Sequence, residues 1–286
     1  MKALVLGAGG MLGRALVAAA PREVDASGLA RAELDVTDSA AMRARVSREA
    51  PDWLINCAAF THVDAAEDDH RARRVNGEAP ALIGAVAAQA RARVLHLSTD
   101  YVFDGTLGRP YRETDPPNPV GEYGRGKLAG EEALVASGAE WLIVRSQWLY
   151  GDGGPSFVAT MRERARAGTA SRVVNDQRGA PTHTGALAAM IWRLVSADAR
   201  GMVHATAAGE ATWLDVAREV YRALGANAEL VTACTTAEYG ARAPRPLDGR
   251  LDTSRYTTLT GHRPEPWRVS LDRHLATAQK VNPAAL

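Results

Sequence analysis

Residues 2–6, KALVL, lead directly into Gly7-Ala8-Gly9-Gly10-Met11-Leu12-Gly13, after which apolar spacing resumes as a helix from Met11 to about Ala20. Few folds accept a buried strand, a glycine turn and a helix in that order. The sharp turn needs Gly7, Gly10 leaves the backbone bare for a pyrophosphate, and Gly13 lets helix and strand pack closely. The helix start then offers unpaired N–H groups and a positive dipole end to phosphate oxygens. A dinucleotide site is therefore expected, against the plainer alternative of a tight βα turn.

The rest of the first half repeats the alternation of short apolar runs with helical patterns, the signature of βαβ units. Strands are expected around Val24 to Ser27 and in DWLINCAA, RVLHLST and EWLIVRSQW. LDVTD reads as a loop in which Thr37 or Asp38 caps the next helix. Ala79, Leu82, Ile83, Val86 and Ala87 make one apolar helical face, and another helix is expected from about Tyr123 to Val135. Beyond Trp148 the pattern loosens: helices at about 156–167, 185–195 and 213–224 are separated by the loop NDQRGAPTHT and the apolar segment GMVHAT. The expected fold class is α/β, a Rossmann-type doubly wound parallel sheet with a smaller C-terminal substrate-binding domain. Residues 1–150 form the dinucleotide-binding part, completed by parts of 180–206, and 151–286 supply most of a discontinuous substrate domain, with the cleft at the sheet's carboxyl edge.

Composition narrows the partners. Hydrophobic residues at 46% and charged ones at 23% are ordinary globular usage and exclude a disordered or fibrous chain. Lys+Arg 34 against Asp+Glu 33 gives no electrostatic reason to expect nucleic acid or an anionic membrane. Only Lys2, Lys127 and Lys280 are lysines. Cys57 and Cys234 stand in no disulfide or zinc pattern, so the expectation is a reducing cytoplasm and no metal. The N-terminal stretch superficially resembles a signal peptide, but four glycines and Arg14 interrupt it, and no window approaches the roughly 18 apolar residues of a membrane span.

A second constellation carries chemistry. Ser98-Thr99-Asp100 ends a buried strand, and Tyr123 and Lys127, four apart, share a helix face. A tyrosine with the usual pKa of about 10 is a poor acid–base group near neutrality, and a neighbouring ammonium is expected to pull it down. With Thr99 sharing the carbonyl oxygen, the pair could protonate an alkoxide as hydride arrives from a nicotinamide. Alone, such a pair is usually a surface contact; the nucleotide loop and the strand-end hydroxyl are what give it weight. Cofactor subtype is open: Asp25 within the second strand would suit the ribose of NAD, and Arg31 just past it the 2′-phosphate of NADP. The balance leans to NADPH, with both residues equally readable as solvated charges.

The chain resembles the extended short-chain dehydrogenase/reductases, and within them the dTDP-4-dehydrorhamnose reductase family, through LVLGAGGMLGRAL, LDVTD, NCAAFTHVDAAE, VNGEAP, LSTDYVFDG, YGRGKLAGE, VRSQWLYG, DQRGAPT and RPLDGRLD. The resemblance implies NADPH or NADH as reductant and a dTDP-4-keto-6-deoxyhexose as substrate, reduced at C4. It implies that Gly10, Met11 and Leu12 line the pyrophosphate, that Asp35 and Val36 contact the adenine, and that Ala59, Phe60 and Thr61 line the nicotinamide side. Tyr123 would donate the proton, Lys127 would support it and hold the nicotinamide ribose, and Thr99 would tune the transfer. Asp100 would contact the sugar and Trp148 pack on its ring. Read without the family, Trp148 is a core residue, Asp35 a capping-loop acid, and Asn76 structural.

Met11 replaces the usual Gln of the glycine loop, and Gly249 stands where the C-terminal RPxxS pattern has Ser, so one contact near the nucleotide end is expected to be absent. Tyr101 follows Thr99-Asp100 where a 4,6-dehydratase has its glutamate base, which argues against elimination. A related 4-ketoreductase, an epimerase and a non-catalytic subunit of the same fold, such as the regulatory subunit of methionine adenosyltransferase, are the alternatives. Arg242 and Arg245 are expected to meet the anionic substrate. A homodimer is the open oligomeric option.

Overall fold

The computed structural model describes residues 1–280. Six parallel strands form its main sheet: β1 (Lys2–Leu6), β2 (Asp25–Leu29), β3 (Trp53–Asn56), β4 (Arg93–Thr99), β5 (Trp141–Ser146) and β6 (Gly201–His204). Their order across the sheet is 2-1-3-4-5-6. β3, β4 and β5 are apolar almost without interruption because helices cover both their faces.

On one face α1 (Met11–Ala18) and α6 (Thr184–Ser196) pack with Val5, Ile55, Leu95 and Val144. On the other, α2 (Ser39–Glu49), α3 (Ala79–Ala90) and Leu134 of α4 (Glu122–Val135) pack with Leu4, Leu54, Val94 and Ile143. Asp38 caps α2, its carboxylate accepting from the N–H groups of Ala40 and Ala41, while Thr37 is bound by Asp35. A third core lies apart. Here Val158 and Met161 of α5 (Phe157–Arg166) meet Val216, Val220 and Tyr221 of α7 (Trp213–Ala223), with Leu271 and Leu275 beside them.

Two expectations need correction. The second strand starts one residue later than expected and runs two residues further, ending at Leu29. Asp25 is therefore its first residue, exposed and opposite Lys2, at the edge away from the glycine turn. The stretch NDQRGAPTHT is not wholly loop: Arg178–Gly179 pairs with Ala211–Thr212, and Thr182–His183 with Leu149–Tyr150. These two-residue pairings join distant parts of the chain, so no local periodicity marks them.

The order of strands reverses between β1 and β3, where adjacent loops diverge and leave a crevice at the carboxyl ends of the strands. The functional candidates gather there.

Candidate active site

One cavity of about 1390 Å³ runs from the glycine loop past the ends of β3 and β4 to the third core. Gly7, Gly10, Met11, Leu12, Gly13, Asp35, Val36, Ala59, Phe60, Thr61, Thr99, Asp100, Tyr123, Lys127 and Trp148 all line it. Residues drawn from six separate segments thus share one wall.

The cofactor end is built by close backbone approach. Gly7 has φ of +77°, and a Cβ there would stand 2.7 Å from the Ala58 nitrogen. A Cβ on Gly13 would lie 2.5 Å from the Gly7 carbonyl oxygen. Side chains at either position would force the turn apart. α1 begins with Gly10 as N-cap and no side chain capping its first N–H groups, which suits a pyrophosphate. Asp35 accepts from the Thr37 N–H at 2.9 Å and its hydroxyl at 2.8 Å, and these bonds hold its carboxyl below the usual range. Beyond β3, Asn76 accepts from the Phe60 N–H at 2.8 Å and donates to the Phe60 carbonyl at 2.9 Å. That buried amide fixes the segment carrying Ala59, Phe60 and Thr61. Arg31 lines the same end as Asp35; Arg74, which sequence reasoning missed, lines it too and donates to the Thr37 hydroxyl at 3.2 Å.

At the ends of β4 and α4 lie the groups for proton transfer. Burial pushes the Tyr123 phenol up to about 12, the nearby Asp100 carboxylate adds to the rise, and a hydrogen bond with the Thr99 side chain opposes it. The expected depression by Lys127 is not found. Lys127 is 2% exposed and reaches beneath the site, where its Nζ donates to the Leu97 carbonyl at 2.7 Å and lies 3.1 Å from His96 Nε2. Tyr123 is consequently a phenol poised to donate, its ring edge-on to Tyr101 at 5.3 Å.

Asp100 is buried, with one carboxylate oxygen accepting from the Thr99 hydroxyl at 3.0 Å and the other lacking a partner. Burial raises it to about 7. The unpartnered oxygen faces Gly249 so closely that any Cβ there would collide with it. Gly249 therefore acts beside the proton-transfer groups, not at the nucleotide end as expected. α4 is set equally tightly, for a Cβ on Gly124 would strike the Tyr101 carbonyl and one on Gly130 the Asn76 carbonyl.

At the far end Trp148 stacks on Trp213 with ring centroids 3.7 Å apart and planes 12° apart. Phe157 packs on Trp213 in turn at 4.7 Å, and the Trp213 indole N–H donates to Gln177 at 3.0 Å. Trp148 is thus part of a packed cluster and of the cavity wall at once. Arg164, Arg172 and Arg245 also line the cavity. Arg245 is held by Asp64 at 2.9 Å, but Arg242 pairs with Asp68 and is not among the lining residues, contrary to expectation. Trp213, Phe157 and Gln177 were not singled out from sequence, because nothing local distinguishes them from core or helix-start residues.

A glycine-rich dinucleotide cradle and a Thr-Tyr-Lys cluster in one crevice of a doubly wound sheet define an NAD(P)H-dependent oxidoreductase of the extended short-chain dehydrogenase/reductase type. The family model described as RmlD substrate binding domain matches residues 1–280, and the chain belongs to that family, the dTDP-4-dehydrorhamnose reductases. It is 44% identical to the "Probable dTDP-4,6-dihydroxy-2-methyloxan-3-one 4-ketoreductase" of Streptomyces antibioticus over 95% of this chain and 93% of that protein. It is 41% identical to the dTDP-4-dehydrorhamnose reductase of Streptomyces griseus, over 94% of this chain and 91% of that one. The crystal structure of the dTDP-4-dehydrorhamnose reductase of Bacillus anthracis in complex with NADP superposes with a TM-score of 0.91 at 30% identity, over 96% of this chain and 99% of that chain.

Proposed function

We propose that the protein reduces the 4-keto group of dTDP-4-dehydrorhamnose to give dTDP-L-rhamnose, with NADPH as the preferred reductant. The observation that carries this is the placement of Tyr123 and Thr99 between the glycine-loop end and the tryptophan-lined end of one cavity, with burial pushing the phenol up to about 12. When bound, the reduced dinucleotide supplies a hydride to C4. The carbonyl electron pair then moves onto oxygen, and the Tyr123 hydroxyl gives that oxygen its proton. Thr99 shares the oxygen and steadies the developing charge. The uncapped start of α1, with Gly10, Met11 and Leu12, takes the pyrophosphate, Asp35 and Val36 flank the adenine, and Ala59 to Thr61 border the nicotinamide. Lys127 holds the nicotinamide ribose, and Trp148 borders the sugar.

The third core, drawn from residues between Trp148 and Leu275, serves as the substrate-binding part, to which residues 151–286 contribute most. We also take the protein to act in the cytoplasm without nucleic acid, as a monomer or homodimer. Among the described residues no helix is long and apolar enough to cross a membrane. A second reading, a 4-ketoreductase for another dTDP-sugar, is favoured by Gly249, which leaves no side chain over Asp100. A panel of dTDP-4-keto sugars with NADPH, followed by nicotinamide absorbance, separates the two. Fastest turnover of dTDP-4-dehydrorhamnose supports the first reading, and no oxidation of NADPH with any panel member would overturn both.

A further inference from the structure

Beneath the reacting groups lies a buried chain of three side chains whose hydrogen-bond polarity can be deduced from one end. Asn56, the last residue of β3, accepts the Ala58 backbone N–H on Oδ1 at 3.1 Å. A backbone N–H can only donate, which fixes the amide orientation and leaves Nδ2 as a donor. Nδ2 lies 2.9 Å from His96 Nδ1, so that nitrogen must accept and carries no proton. A neutral imidazole then bears its proton on Nε2, which points at Lys127 Nζ 3.1 Å away. An ammonium has no lone pair to receive it, whereas an amine does.

We propose that Asn56 and His96 are positioning residues for the reduction, which lock the imidazole as its Nε2–H tautomer and so present Lys127 with a donor that favours its amine form. Both Lys127 and Tyr123 line the cavity, so a proton released by the Lys127 ammonium can reach the Tyr123 phenolate through cavity solvent; the resulting amine is stabilised by His96 while it still donates to Leu97, and solvent returns a proton to Nζ before the next turnover. The atoms balance, with one proton leaving Nζ, one arriving at the phenolate oxygen and no change of oxidation state. Burial independently draws Lys127 down to about 8 and keeps His96 neutral by lowering it well below its usual value.

The other ionisable groups around Lys127 are few. Cys57 beyond β3 is pushed up to about 12 by burial, and Glu131 on α4 is bound by Arg145 of β5. Tyr123 and Asp100 lie on the cavity side, and against Gly126, one residue before Lys127, the neighbouring helical turn places Asn76 and the Ala72 carbonyl. None supplies the donor that His96 does.

The proposal rests on the reductase reading only for its kinetic consequence, because tautomer and lysine titration are read without turnover. Imidazole ¹⁵N shifts of the full-length protein should show His96 with a bare Nδ1, and an Nδ1–H signal would overturn the idea. With three lysines in the chain, a ¹³Cε titration resolves Lys127 by its loss in Lys127→Arg. Its midpoint should lie well below the usual lysine value of about 10.4, and should rise by about one pH unit in Asn56→Leu, which frees the tautomer without adding charge. Asn56→Asp should invert the tautomer and raise the midpoint further, and the alkaline limb of kcat should follow both shifts with KM little changed. An inverted tautomer with an unmoved Lys127 midpoint would also overturn it.

Discussion

Trp148 and Trp213 stand face to face at 3.7 Å, joining the end of β5 to the first residue of α7 across 64 intervening residues. Trp213 itself completes the support of the Trp148 ring. Aromatic pairs of this kind are worth about 0.5–1.5 kcal/mol beyond area burial, so Trp213→Ala should raise the KM for the dTDP-sugar between two- and tenfold, by order of magnitude. The KM for NADPH should stay within about twofold, as the glycine loop is at the opposite end. Equal losses for both ligands would show that Trp213 supports the whole fold and not one wall.

Tyr123→Phe should lower kcat by about 10²–10⁴ with little effect on KM, the usual range for loss of a general acid. Since the phenol is pushed up to about 12, it stays protonated through neutral pH. The ratio of wild-type to variant kcat should therefore show no phenol titration from about pH 6 to about pH 9, falling only on the alkaline side with Lys127, whose limb acts through the Tyr123 phenolate and is absent from the variant. A ratio that collapses in step with one titration near neutrality would contradict a phenol donor.

These groups show what sequence can and cannot reveal. The glycine turn and the Tyr123–Lys127 spacing were legible because each lies within one continuous stretch whose geometry follows from helix and turn rules. His96, Trp213 and Gly249 were not, since each acquires meaning only from a residue brought to it by the fold: Lys127, Trp148 and Asp100. Even the legible pair was half understood. Four-residue spacing placed Lys127 on the right face, but only packing against β4 shows it reaching Leu97 and His96. Asp25 could be read either as a ribose contact or as an exposed strand charge, and only its place at the start of β2, opposite Lys2, decides for the second.

Asp100→Asn should change stability in a pH-dependent way. In the folded chain its carboxyl is raised to about 7 by burial, so the folded state holds the proton more tightly than the unfolded one. Its contribution is full below about pH 4 and is lost as pH rises through about 7, to an upper bound of roughly 4 kcal/mol. Asparagine cannot ionise. Relative to wild type, the variant should therefore unfold at a higher temperature at pH 8 than it does at pH 4, in thermal scans of the two proteins side by side. A constant difference at both values would mean that Asp100 does not titrate in this range.

Arg31 and Arg74 line the cavity near Asp35, whereas Asp25 sits at the opposite edge of β2. Arg31→Ala should raise the KM for NADPH about tenfold and leave that for NADH nearly unchanged, since only the former carries a 2′-phosphate for a guanidinium to hold. Parallel losses with both cofactors would remove Arg31 from phosphate recognition.

Arg145 and Glu131 form a buried ion pair, side chains 4% and 3% exposed, which ties α4 to β5. Arg145→Met leaves a buried carboxylate alone and should cost about 3–5 kcal/mol in denaturant titration, whereas replacing both with apolar residues should recover most of that loss. If the double variant is as unstable as the single one, the guanidinium's packing on the Phe103 ring carries the effect instead.

The bare flanks of α4 have a consequence for how such a reductase could diversify. Where Gly124 and Gly130 meet the Tyr101 and Asn76 carbonyls, main chain rests on main chain, and no graded substitution is available to slide the helix inward or outward. The depth at which the phenol meets its substrate is inherited as a fixed dimension. New sugars must then be accommodated from the opposite bank, by residues such as Trp213 and Phe157, whose neighbours are side chains that can be exchanged one at a time.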